Sequence, residues 1–425
     1  MSSQLERSHA QSLDANDPLR EFKKRFVITD PDTCYLDGNS LGRLPHATVK
    51  AINDFLHDEW GREVVVGWSH WIDEAQNSGN LIARSALGAA PGQVLACDTT
   101  SVNIYQLATA AIKARPGRKT IITDAANFPT DRYILQGIAK SHGLNLVTID
   151  NENPDLSENE MISPELLAKY LNDDVALVSL QVIQYRSGAR QDISRLTKLI
   201  HDHGALVLWD AAHAVGSIQL DLDSNDVDLA VGCTYKYGNS GPGAPAWLYV
   251  NKRIQDELQV AIQGWFAQRN QFAMGPNFEK EQSIRGFQIA SPSIIGLRCI
   301  NSAFSMIEEA GIAEIERKCA LGTSLMVDLF ESWLLPLGFS LVTPRAAENR
   351  GGHVTIAHPE AERISIALRK YANVVADYRT PNSIRLAISP LATSFTEVFD
   401  GFARIRKLVE TKQYEKVQTG DSRVT

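Results

Sequence analysis

Short runs of almost unbroken apolar residues recur along the middle of the chain: KTIITDAAN (119–127), LNLVTID (144–150), VALVSLQVI (175–183), ALVLWDAAH (205–213), VDLAVGCTY (227–235) and APAWLYV (244–250). Most lack the apolar/polar alternation that a sheet with one wet face imposes, so they read as strands buried on both faces. Amphipathic segments such as SPELLAKYLN (163–172) and DISRLTKLIHDHG (192–204) lie between them. The second opens on an acidic cap and ends at Gly204, as a helix does. This rhythm predicts an α/β fold with a mostly parallel central sheet and helices on both faces. Ligands in such sheets bind beyond the carboxyl ends of the strands.

The flanks follow other patterns. Residues 1–48 read as an N-terminal arm with a short charged helix over Pro18–Phe26 and a loop, CYLDGNSLGRLP (34–45), rich in Gly, Asn, Ser and Pro. Apolar Val49, Ile52, Phe55 and Leu56 at helical spacing predict a helix from His46 to Trp60. After about residue 295 a long helix, SIIGLRCINSAFSMIEEAG, leads into strand-like GGHVTIAH, NVVADYRT and NSIRLAIS, closed by the helix SFTEVFDGFARIRKLVE. The expected organisation is therefore an arm (1–48), a large α/β domain (49–295) and a smaller C-terminal α+β domain (296–425).

Composition narrows the function classes. The 425 residues carry 42 basic and 50 acidic side chains, a net charge of -8, which argues against nucleic acid or an anionic membrane surface as the main partner. Five cysteines, odd in number and without CxxC spacing, suggest neither a disulfide framework nor a metal site, and fit a reducing compartment. The N-terminus is polar and mixed in charge, without the apolar core of a signal peptide, and no apolar run reaches membrane-spanning length. A cytoplasmic protein with a small-molecule substrate is expected.

Two strand ends carry candidate chemistry. ALVLWDAAHAVG puts Asp210 at the end of a buried run, and VDLAVGCTYK delivers Lys236 to the same sheet edge 26 residues later. Alone, Asp210 reads equally well as a turn or cap residue, and Lys236 as a surface lysine following a strand. Together they can face one pocket, where burial turns a lysine into a nucleophilic amine. CDTTSVN (97–103), opening the helix IYQLATAAIKA, offers backbone N–H groups and the hydroxyls of Thr99, Thr100 and Ser101 to a phosphate. The loop NSGPG (239–243) allows close backbone approach. A buried amine, a carboxylate and a phosphate cradle are what pyridoxal 5'-phosphate requires.

Ordered motifs then point to a family. YLDGNSLG (35–42), TTSVN (99–103), NFPTD (127–131), QYRSG (184–188), WDAAHAVG (209–216), GCTYKY (232–237), GWF (264–266) and IRLAISPLATSFTEV (384–398) resemble the kynureninases, fold-type-I pyridoxal-phosphate enzymes of the aspartate aminotransferase superfamily. The resemblance runs over nearly the whole chain. It implies hydrolytic Cβ–Cγ cleavage of L-kynurenine, or its 3-hydroxy form, to L-alanine and an anthranilate, in tryptophan catabolism. It also implies Lys236 as the Schiff-base lysine and α-proton base, Asp210 as partner of the pyridinium nitrogen, and Tyr235 as a proton relay that also touches phosphate. Phe128 would stack on the ring, with Asp131 and His213 at its edge. Thr100, Ser101, Tyr235 and, across a homodimer interface, Trp265 would hold the phosphate, and Ser291 stands where the family often shows an Asn or Thr contacting cofactor or substrate. Arg385 would bind the substrate carboxylate, and Asn39 and Ser40 would line the entrance.

The chain departs from that pattern at Gly238 (usually Leu), at Ala267 and Gln268 (usually Gly-His), at Ala392 (usually aromatic) and at Ala290–Ser291. Large-to-small changes at Gly238 and Ala392 would enlarge the aryl end of the pocket. They raise the alternative of a related enzyme acting on a modified kynurenine or another amino acid.

Overall fold

The computed structural model describes residues 6–150 and 160–420. Seven strands form the central sheet, in the spatial order Val94–Ala96, Trp247–Val250, Leu229–Gly232, Leu206–Asp210, Val175–Gln181, Thr120–Asp124, Asn145–Ile149. The last five are mutually parallel, while Trp247–Val250 runs antiparallel to both neighbours. Every residue of Val175–Gln181, Leu206–Asp210, Leu229–Gly232 and Trp247–Val250 is buried, which explains their unbroken apolar runs. The edge strand Asn145–Ile149 is the wet one. Helices Thr100–Lys113, Pro129–His142 and Ile193–Asp202 connect the parallel strands, and Thr99 and Asp192 cap the first and last of these with side-chain oxygens.

The second core surrounds a four-stranded antiparallel sheet ordered Asp377–Arg379, Ser383–Ala387, His353–Ala357, Ser340–Leu341. Helices Ile312–Leu329 and Ala361–Tyr371 cover it, and Phe395–Glu410 packs on both of these and on the short parallel pair Cys34–Tyr35 and Val374–Val375. The helix Ile294–Ala310, just past residue 295, still packs its apolar face into the large core.

The arm is stitched to both cores. A helix that the sequence pattern did not signal, Arg7–Ala15, lies against Phe395–Glu410, and the Asp14 carboxylate caps that helix by accepting from the N–H groups of Phe395 (2.7 Å) and Thr396 (3.0 Å). A buried ion pair, Lys318 to Asp17 at 2.7 Å, fixes the next turn. The expected Pro18–Phe26 helix is a tighter 3-10 segment, Arg20–Arg25, whose Phe22 enters the large core together with Leu19 and Phe26. The helix from His46 is regular to Asp54 and continues through a wider π-type turn, Phe55–Trp60. No helix among the described residues is long and apolar enough to cross a membrane.

Candidate active site

The sheet places the site. Leu206–Asp210 and Leu229–Gly232 are adjacent parallel strands with Asp210 opposite Val231, so Asp210 and the loop carrying Lys236 leave the same edge. A cavity of about 270 Å³ opens there, lined among others by Thr100, Ser101, Phe128, Asp131, Asp210 and His213, with Tyr235 and Lys236. A larger cleft of about 680 Å³ lies elsewhere, between Ser163–Arg195 and Glu316. None of the residues singled out in the sequence lines it, and its Arg190 is committed to Glu316 at 2.6 Å.

Within the smaller cavity each group is held by its strand or helix. Asp210 accepts from Gln181 Nε2 (3.1 Å) and from the N–H of Ala212 (2.8 Å), so the carboxylate is oriented by the neighbouring strand and its own turn. Lys236 Nζ lies 2.8 Å from His213 Nε2. Burial pushes the Lys236 pKa down, against the opposing pull of Cys233 and Asp210. His213 is driven well below the usual imidazole range by burial and then by the charge of Lys236, so it is neutral. Asp131, at the start of the helix Pro129–His142, is pushed well above the carboxylate range by burial and by Asp210, with Lys236 opposing. One of its oxygens, Oδ2, is buried without a partner. Tyr235 is pushed above the ordinary phenol range by Cys233 and by burial, which keeps its O–H protonated. Phe128 is 37% exposed, lines the cavity and meets Tyr185 edge-on at 5.1 Å.

Arg385 sits behind this wall rather than on it. It is 1% exposed, which rules out a solvent-facing charge on an alternating strand. Its Nε and Nη2 engage Asp377, Nη1 donates to the carbonyl of Tyr185 (2.6 Å), and Nη2 also donates to Ser40 Oγ (3.0 Å). Asp377 also takes Arg379 at 3.1 Å. Four of the five guanidinium N–H groups are thus spent within the chain, which leaves one N–H on Nη1 without an intramolecular partner. Asn39, fully buried beside Ser40, has neither amide atom bonded. The arm reaches the lysine loop directly, through Gly42 N–H to the Tyr235 carbonyl (2.8 Å).

Trp265 and Ser291 are not brought to this cavity within one chain; both are on the surface, Trp265 with 45% of its area exposed. The departures also sit elsewhere than expected. A Cβ on Gly238 would lie 2.4 Å from the Thr234 carbonyl and 3.0 Å from the Phe304 ring, so that space is already filled. Ala392 is fully buried in the large core. Gln268 Oε1 accepts from the N–H of Glu279 (2.6 Å), a local clasp. None of these three lines the cavity, so no enlargement of it is found at those positions.

Sequence reasoning missed Gln181, Tyr185 and Asp377. Tyr185 belongs to the quoted QYRSG motif, and Asp377 to a strand-like segment, but nothing local signals that their partners are Asp210, Phe128 and Arg385.

The aminotransferase class-V family model matches residues 34–374. A kynureninase of Pseudomonas fluorescens is 34% identical over 420 residues, 97% of either chain, and one of Burkholderia pseudomallei strain 1106a is 33% identical over 414 residues, 96% of either chain. Among solved structures, a cysteine desulfurase from Thermococcus onnurineus NA1 superposes with a TM-score of 0.79 at 18% identity, covering 93% of this chain and 99% of its own. A NifS-like protein gives 0.71 at 18% identity, with 89% and 100% covered. These two likenesses establish the fold, and the near-full-length relatives establish the rest: the chain belongs to the class-V aminotransferase family and, within it, to the kynureninases.

Proposed function

We propose that this protein uses pyridoxal 5'-phosphate to hydrolyse the Cβ–Cγ bond of L-kynurenine or 3-hydroxy-L-kynurenine, giving L-alanine and an anthranilate, as a step of tryptophan catabolism. The observation that carries the reading is a desolvated lysine amine and an oriented aspartate on adjacent strand ends, inside one cavity, in a chain that aligns end to end with kynureninases. The residues fit the cofactor: Lys236 for its aldehyde, Asp210 for its ring nitrogen, Phe128 against its face, the unpartnered Asp131 Oδ2 and His213 at its edge. The N-terminus of Thr100–Lys113 with Thr100 and Ser101 suits its phosphate. Bound there, pyridoxal phosphate supplies an electron sink for the pair left when bonds at Cα and Cβ break.

The chain supplies the rest. Arg385, with Asn39 and Ser40, holds the α-carboxylate and so fixes which bond at Cα faces Lys236. The lowered pKa of Lys236 leaves a larger share of neutral amine to take the Cα proton. Tyr235, kept protonated, donates to oxygen or returns a proton at Cβ. The γ-ketone takes up water before the C–C bond breaks, which makes the reaction a hydrolysis.

Two copies acting together belong to the reading. Trp265 lies on the surface, where it can complete the site of a partner subunit, as the family resemblance implies, and Ser291 is exposed as well. Arm 1–48, large domain 49–295 and small domain 296–425 are the proposed working units, with Ile294–Ala310 rooting the small domain in the large core. Five unpaired cysteines support a reducing, cytoplasmic setting.

The test is direct. Protein loaded with pyridoxal phosphate is given L-kynurenine and 3-hydroxy-L-kynurenine, and anthranilate fluorescence and alanine are measured. Product from wild type and none from Lys236→Ala is expected; no product from either substrate refutes the reading.

A further inference from the structure

His353 opens the strand His353–Ala357 and pairs with Ala387, two residues from Arg385 on the adjacent strand. It is fully buried, and neither ring nitrogen has a hydrogen-bond partner. The same holds for Nδ1 of His213, whose ring centroid is 5.5 Å away at an interplanar angle of 52°. Two adjacent imidazoles with three unspent nitrogens behind the reactive lysine call for a physical reason, because a buried N–H left unbonded costs stability.

Charge settles the protonation state of the pair. Burial first, and then the cations Lys236, Arg385 and Arg379, which act on both rings, hold His213 and His353 neutral. A neutral imidazole has one N–H and one lone pair. Toward the ammonium form of Lys236, which only donates, Nε2 of His213 offers its lone pair at 2.8 Å, and the proton then resides on Nδ1. The ring with a lone pair to receive that proton is His353, whose centroid lies 5.5 Å away without a direct hydrogen bond, a spacing that one bridging water spans.

We propose that His353 is a positioning residue: it fixes the tautomer of His213 and so keeps an acceptor, rather than a donor, facing the amine of Lys236. This rests on the reading of Lys236 as the cofactor-bearing amine. Without His353, His213 is free to turn an N–H toward Lys236, which favours the uncharged amine. The other groups that act on Lys236, with Asp210 and Cys233 raising its pKa, Arg385 and Arg379 lowering it, and Asp131 interacting with it across the cavity, are untouched by changes at His353.

The experiment follows bond formation between Lys236 and pyridoxal phosphate, an amine and an aldehyde joining with loss of water, by visible absorbance across pH in the full chain freed of cofactor. For His353→Phe the midpoint of the rate profile falls by about one pH unit, a tenfold shift in the amine's protonation equilibrium. His353→Gln, which still accepts and donates, recovers most of that shift. A His353→Phe profile that superimposes on wild type overturns the proposal. A second measurement does not depend on the variants folding: ¹⁵N-histidine NMR of the wild-type chain should show His213 protonated at Nδ1 and bare at Nε2, and the opposite tautomer overturns it. Wild type that forms no bond at Lys236 instead refutes the proposed function, and the NMR result still judges His353.

Discussion

At Gly238 the backbone has no room for a side chain, since the Thr234 carbonyl and the Phe304 ring occupy the directions a Cβ would take. The glycine and the phenylalanine thus form one packing unit on the helix Ile294–Ala310 rather than a widened pocket. Gly238→Leu is expected to destabilise by about 1–3 kcal/mol through overpacking, read as a lower denaturation midpoint. Combined with Phe304→Ala it should cost clearly less than the sum of the single changes; strict additivity would show that the two residues do not share that space. Asp37 makes a different residue-scale prediction. Burial and the neighbouring Asp377 raise its pKa to about 6, above the ordinary carboxylate value, so the folded state binds its proton more tightly than the unfolded state. Its contribution is present at low pH and lost as pH rises through about 6. Asp37→Asn should therefore stabilise the protein by on the order of 1–2 kcal/mol at pH 7.5, with the gain fading toward pH 4, in denaturant titrations at the two pH values.

Elements meet where the arm touches the lysine loop. A Cβ on Gly42 would lie 2.4 Å from both the Lys236 carbonyl and Asn239 Oδ1, so only glycine lets the YLDGNSLG loop close over Tyr235 and Lys236. Gly42→Ala is expected to lower kcat/KM at least about tenfold while moving Tm little, because it displaces positioned groups without emptying a core. A large loss of Tm with unchanged kcat/KM would reverse that assignment. The same contact shows what could be read from sequence. The buried strands and the ends bearing Asp210 and Lys236 were legible because burial on two faces imposes an apolar run, and the following turn must then expose polar chemistry. The three-residue strand Val94–Ala96 was too short to carry a pattern. The helix Arg7–Ala15 has one buried residue, Ala10, hence no apolar stripe to announce it. The environment of Arg385 was illegible for another reason: Asp377, Tyr185 and Ser40 reach it from three separate parts of the chain, and no local periodicity encodes that meeting.

At the scale of the whole molecule, a feature that calls for a partner is a ridge of rings that surfaces at Trp60, Trp265 and Phe272, with Phe55, Trp71 and Phe266 buried beneath it. Edge and tilted contacts run from Trp60 to Phe55, Trp71 and Trp68, then to Phe266, Trp265 and Phe272, with centroid spacings of 4.6–6.4 Å. Val65 (73%) and Val66 (68%) extend the exposed apolar surface at one end of the ridge and Phe272 (68%) at the other. Val64 there holds a φ of 52°, strained for a β-branched residue, and such strain persists where surrounding structure enforces it. Apolar surface of this kind is expected to be covered in solution. If a second copy covers it and the partner's Trp265 completes each site, then Val65→Glu should shift the protein from dimer to monomer in sedimentation and lower turnover together. Subunit mixing separates that from simple damage. Lys236→Ala lacks the amine and Trp265→Ala lacks the phosphate contact, but a mixed dimer carries both intact groups at one of its two sites. Random exchange of equal amounts makes half the dimers mixed, so the mixture should reach about a quarter of wild-type activity per subunit. Activity no higher than the mean of the two parents would place Trp265 outside the partner's site and leave the ridge without its catalytic meaning.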